Sequence, residues 1–184
     1  MKKELEKRIF SSLILIPLSF FFIIKGSFFL NFFLIICFLI TSYEWYMMSK
    51  KKSYHLLGYL FLILSFYTAY LLRNHDEYGL VFLFIIIICI STDVGGYIFG
   101  KTFKGPKLTS ISPNKTFSGA IGGYVLSVMF IIIFFKILSS FDYKILLSKE
   151  ILLLVILIST ISQSGDILIS YFKRKSNVKD TGNI

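Results

Sequence analysis

The sequence predicts an all-α fold, a polytopic bundle of about six transmembrane helices. Three observations predict it. Of the 184 residues, 55% are hydrophobic and the mean hydropathy is +0.76. Charged residues make up 16% of the chain, against about a quarter in soluble domains. Those charges stand in clumps between apolar runs long enough to cross a bilayer. With no internal repeat and no low-complexity linker, residues 1–184 read as one integral membrane domain.

The runs expected to span are Ile9–Ile24, Ser27–Tyr43, Tyr54–Leu72, Gly79–Gly100, Phe117–Leu138 and Ile151–Phe172. The first two are separated only by Lys25 and Gly26, which predicts a tight helical hairpin. Pro17 is positioned to kink the first, as membrane helices tolerate. The basic N-terminus resembles a signal peptide, but no small-residue cleavage site follows, so the run is expected to be retained. Cys37 and Cys89 lie inside separate apolar runs without ligand spacing and read as small apolar filler. His55 and His75 read as interfacial.

The net charge of +10 raises the question of an anionic partner. Placing the N-terminus inside and alternating the loops puts 15 of the 20 basic residues on the cytoplasmic side. That bias predicts cytoplasmic termini in a cell (inner) membrane. It also points to anionic membrane lipid as the partner and excludes nucleic acid.

Two acidic residues lie inside apolar runs, where an ionisable group costs about 2.5–3.5 kcal/mol on insertion scales. They are Asp93 and Asp166, each followed by about two turns of helix before its cytoplasmic end. Both are expected to be buried about 10 Å above that end, at one depth, and so able to share a cavity. The rival reading is that each bonds neighbouring hydroxyls and only locks helix packing. Gly95, Gly96, Gly100, Gly119, Gly122, Gly123 and Gly165 surround them, allowing either close helix packing or close approach of backbone to a ligand.

The loop from Lys101 to Gly119 carries four lysines and several hydroxyls into a helix N-terminus. Ser112, Asn114, Lys115 and Thr116 there combine a cation, polar donors and the positive end of a helix dipole, a combination suited to phosphate. The glycine spacing is not that of a Walker loop. Ser170 lies one turn beyond Asp166 on the same helix face, so the two can reach one metal ion. Lys173, Arg174 and Lys179 are expected at headgroup level, followed by Asp180.

At these residues the sequence resembles the phosphatidate cytidylyltransferases. The C-terminal signature S-x-x-K-R, four residues, K-D-x-G stands here as Ser170, Lys173, Arg174, Lys179, Asp180 and Gly182. Upstream, Asp93 with Gly95, Gly96 and Tyr97, Phe99 and Gly100, the segment Ser112 to Thr116, Gly122 and Gly123, and Gln163 to Asp166 are also similar. The likeness covers residues 91–184; the first three runs match only in character. Ser118 and Ile169 stand where the family often carries acidic residues. The signature continues into a His-Gly-Gly turn and a further acidic element, so the chain is expected to lack the C-terminal end.

The resemblance implies transfer of CMP from CTP to phosphatidate, giving CDP-diacylglycerol and pyrophosphate with Mg²⁺ as cofactor. It implies Asp166 and Ser170 as metal ligands, with Lys173, Arg174 and Lys179 on phosphates. Asp180 would order Lys179 or join the metal shell. Asp93 would join or order the metal site, and Ser112, Asn114, Lys115 and Thr116 would shape the nucleotide side. A second copy of the chain stays open as a partner. The alternatives are an ion-coupled transporter and an inactive truncated chain or scaffold. A CDP-alcohol phosphotransferase would need a multi-aspartate motif on adjacent turns, which is absent.

Overall fold

A computed structural model describes residues 17–75, 79–112, 115–141 and 147–177. The described chain is helical, with no strand among the described residues beyond an isolated antiparallel bridge between Lys107 and Thr116. Helix α1 is described over 17–25. It is followed by α2 (Ser27–Ser49), α3 (His55–Arg73), α4 (Leu80–Phe103), α5 (Phe117–Ser139) and α6 (Lys149–Lys175). Helices α2 to α6 are long and apolar enough to cross a membrane. Only part of the first expected run, Ile9–Ile24, falls among the described residues.

Helices suit this setting because every backbone group bonds within its own segment, leaving nothing unsatisfied toward lipid. The ends run past the expected ones: α2 continues six residues beyond Tyr43, α4 three beyond Gly100, and α6 three beyond Phe172. The extensions are the polar, aromatic turns at the edges of the apolar runs, where Tyr and Lys sit at headgroup level. Lys50 Nζ stands 5.5 Å from the centre of the Tyr46 ring and Lys175 Nζ 5.8 Å from that of Tyr171.

The chain divides into two compact units, Met1–Leu83 and Phe84–Ile184. In the first, α2 packs on α3 around Trp45, whose indole donates to the His55 carbonyl at 2.9 Å. Gly58 leaves the room: a Cβ there would lie 1.9 Å from the indole. His55 opens α3, its Nδ1 2.7 Å from Ser49 Oγ. Arg73 is only 5% exposed. Its Nε donates to the Ile23 carbonyl at 2.8 Å and its Nη2 to that of Ile24 at 3.3 Å. A cation thus meets the unpaired carbonyls that end α1, where the helix dipole favours it. Gly26 (φ 61°) and Gly79 (φ 66°) turn the backbone tightly around this guanidinium.

The second unit contains the rest of α4 together with α5 and α6. Its core is Ile88, Ile131 and Val155, one from each helix and each 0% exposed, flanked by the stacked rings of Phe84 and Phe135. Toward the ends of α4 and the start of α5 the packing changes from side chains to glycines. A Cβ on Gly95 would lie 2.4 Å from the Gly122 carbonyl oxygen, and one on Gly119 2.7 Å from that of Gly96. The helices therefore touch backbone to backbone, as small residues permit in membranes.

Candidate active site

The backbone contact between α4 and α5 sets one wall of a cavity of about 220 Å³ in the second unit. Asp93, Gly96 and Tyr97 come from α4, Thr116, Gly119 and Ala120 from the start of α5, and Gln163 and Asp166 from α6. Thr92, Leu108 and Lys115 complete it. The two carboxylates do share one cavity, but neither is buried. Asp93 is exposed and the Asp166 side chain is 53% exposed. The expectation of burial treated every position in the apolar run as interior, whereas an open cavity lets water reach this depth. The helix extensions also place the carboxylates deeper than expected, ten residues before the end of α4 and nine before that of α6.

The loop before α5 delivers Lys115. Leu108 N donates to the Lys115 carbonyl at 2.8 Å and Phe117 N to that of Pro106 at 3.1 Å, which folds the loop back on itself. Thr109 Oγ1 accepts from Ile111 N at 3.0 Å and Ser112 N at 3.3 Å, shaping the outer turn. Thr116, extended at φ −117°, caps α5 by accepting from Gly119 N at 3.1 Å. So anchored, Lys115 reaches across to α6. Its Nζ lies 2.7 Å from Asp166 Oδ2 and 3.3 Å from the Gln163 carbonyl.

Below the carboxylates a polar chain ties the three helices. Thr92 Oγ1 is 2.9 Å from Ser159 Oγ, with Thr92 1% and Ser159 0% exposed. Gln163 Nε2 donates to the Ala120 carbonyl at 3.3 Å and lies 3.5 Å from Ser159 Oγ. Buried polar groups must find such partners, and here they find them between helices.

Of the residues singled out in sequence, the structure gathers Asp93, Lys115, Thr116 and Asp166. Ser112 holds the loop through its carbonyl, which accepts from Lys115 N at 3.1 Å, and does not line the cavity. Ser170 Oγ donates to the Asp166 carbonyl at 2.7 Å, likewise off the lining. Lys173 and Arg174 occupy the last turn of α6. Asn114, Lys179 and Asp180 lie outside the described residues. Sequence reasoning gave no role to Thr92 and Ser159 and noted Tyr97 only within the resemblance around Asp93; the run of hydroxyls from Ser159 to Ser164 inside an apolar helix was the available signal.

Charged groups on the lining sum to one net negative charge, from Asp93, Asp166 and Lys115. Among the described residues no cluster of three or more His, Cys, Asp or Glu could cage a metal unaided. Two carboxylates on an open cavity instead suit a hard cation that completes its shell with water and ligand phosphate oxygens.

A polytopic helical membrane fold with a charged cavity among its helices defines the class, an integral membrane protein with a polar site, and the comparisons narrow it. Residues 55–184 match the model of the cytidylyltransferase family, and the chain belongs to that family. A phosphatidate cytidylyltransferase of Rickettsia felis is 34% identical, with 100% of this chain and 82% of the relative covered. One of Rickettsia typhi is 32% identical over the same shares. One of Bacillus subtilis is 35% identical over 70% of this chain and 47% of its own. No solved structure gives a significant match.

Proposed function

We propose that this integral membrane protein transfers CMP from CTP to phosphatidate, giving CDP-diacylglycerol and pyrophosphate in phospholipid synthesis. The observation that carries the proposal is the Lys115–Asp166 pair lining one open cavity with Asp93. Family membership and the names of the relatives support the same reaction. A phosphate oxygen of the lipid attacks the α-phosphorus of CTP, the bond to the bridging oxygen breaks, and pyrophosphate leaves with that electron pair. Such transfers depend on positioning and on neutralising charge rather than on covalent catalysis by the protein.

Asp166 and Asp93 are the carboxylates proposed to hold Mg²⁺, with Ser170, one turn beyond, a candidate for a further oxygen ligand. Bound there, Mg²⁺ supplies charge neutralisation for the phosphate oxygens. Lys115, oriented by Asp166 and the Gln163 carbonyl, presents its ammonium to the nucleotide phosphates. Thr116, Ser112 and Asn114 shape that side of the site through the loop and the N-terminus of α5. Lys173 and Arg174, in the last turn of α6, are proposed to hold phosphates and anionic lipid, and the family resemblance extends that role to Lys179, with Asp180 to order it or join the metal shell. The loop-charge bias supports cytoplasmic N- and C-termini, which gives CTP access to the cavity.

Incorporation of labelled CTP into lipid by the purified protein in phosphatidate-containing micelles tests the reading. Product that depends on both phosphatidate and Mg²⁺, and is lost with a chelator, is expected. Lack of any phosphatidate-dependent product would overturn it.

A further inference from the structure

Helix α4 has two faces near the cavity. One, with Gly95 and Phe99, is pressed against α5: a Cβ on Gly122 would meet the Phe99 side chain at 2.3 Å. The other is a stripe at helical spacing, Val94, Tyr97, Ile98 and Lys101. Val94 is 41%, Tyr97 67% and Ile98 46% exposed, and Lys101 is exposed as well. On a helix long and apolar enough to cross a membrane, an exposed apolar stripe suits contact with lipid. Tyr97 also lines the cavity, so the stripe borders the cavity at that residue.

The polar end of the stripe is built for an anion. Lys101 Nζ donates to the Tyr97 hydroxyl at 3.3 Å and stands 5.5 Å from the ring centre. It has no carboxylate partner among the described residues, unlike Lys115. Accepting from Lys101 leaves the phenol proton of Tyr97 free to donate. Lys101 lies two residues before the end of α4, at the depth where headgroups meet the helix ends. A phospholipid lying along α4 would set an acyl chain on Val94 and Ile98 and its phosphate on Lys101 and Tyr97, beside the cavity that holds Asp93 and Asp166.

We propose that the Val94–Tyr97–Ile98–Lys101 stripe is the berth and entrance of the lipid substrate, with Lys101 and the Tyr97 hydroxyl receiving its phosphate monoester. This rests on the reaction proposed above and adds the side from which one substrate arrives. The occupant is a lipid rather than free nucleotide because the alkyl part of the stripe is continuous with its cation.

The test measures turnover of the full chain in mixed micelles while the surface fraction of phosphatidate and the CTP concentration are varied separately. With Lys101→Ala the half-saturating phosphatidate fraction should rise about fivefold, the scale of one partly exposed ion pair. KM for CTP should move less than about twofold. Lys101→Arg should restore the wild-type value, which a folding defect would not permit. A rise in KM for CTP instead, or no change in either constant, overturns the berth. A second arm needs no turnover. Phosphatidate carrying a photoactivatable acyl chain should label the stripe, and unlabelled phosphatidate should compete while phosphatidylcholine should not. Absence of wild-type product strikes the proposed reaction, whereas an active wild type with an unaffected Lys101→Ala variant strikes the berth alone.

Discussion

Asp166→Asn separates charge from packing at the centre of the site. The side chain keeps its size and loses its charge, so the 2.7 Å ion pair with Lys115 becomes at best a hydrogen bond from the ammonium to a neutral amide oxygen. Lys115 is 27% and Asp166 53% exposed, and pairs so open to water contribute about 0.2–1 kcal/mol to stability. For a chain of this size that is a shift of at most about 4 °C in Tm. The effect on chemistry is far larger, because the carboxylate orients Lys115 and is a proposed metal ligand. Losing one preorganised electrostatic partner of developing phosphate charge costs about 10²–10³-fold in rate. The assay pairs phosphatidate-dependent CMP transfer with thermal unfolding of the same purified protein. Turnover within about threefold of wild type would refute the assigned role, and so would a fall in Tm of more than about 8 °C, which would make Asp166 a packing residue.

Other expectations follow from the packing. Gly95→Ala puts a Cβ 2.4 Å from the Gly122 carbonyl, and should cost about 1–3 kcal/mol by forcing α4 from α5, read as a lower Tm. Gly165→Ala meets nothing within 4 Å, so removing a helix-interior glycine should raise stability by about 0.5–1 kcal/mol in the same measurement. Thr116→Val removes the cap on Gly119 N and should cost about 1 kcal/mol. A double-mutant cycle of Thr92→Val and Ser159→Ala should return a coupling of about 0.6–1.7 kcal/mol in unfolding experiments; additivity would mean that their 2.9 Å contact does not bind α4 to α6.

The helices were legible because apolar length is read directly along the chain. Their ends were not, since Trp45 and Lys173 continue their helices through turns that hydropathy alone scores as the finish. Asp93 and Asp166 stood out because charge is costly in an apolar run, yet exposure depends on a cavity formed by three helices, which no local pattern reports. The loop before α5 shows the same boundary. Its cation and hydroxyls were visible, but which lysine turns inward depends on the pairing of Leu108 with Lys115 across the loop. Glycines were noticed as a group, and only the structure separates Gly95, which α5 requires, from Gly165, which nothing touches.

Arg73 has a consequence for the order in which the protein is made. It is synthesised 50 residues after Ile23 and 49 after Ile24, the carbonyls it satisfies. Until α3 has emerged, the two carbonyls that end α1 lack the cation that meets them in the finished unit. The α1–α2 hairpin therefore cannot close as a finished unit as soon as it leaves the ribosome. The Arg73 contact closes only when the last residue of α3 is in place, so the first unit is completed by three helices together.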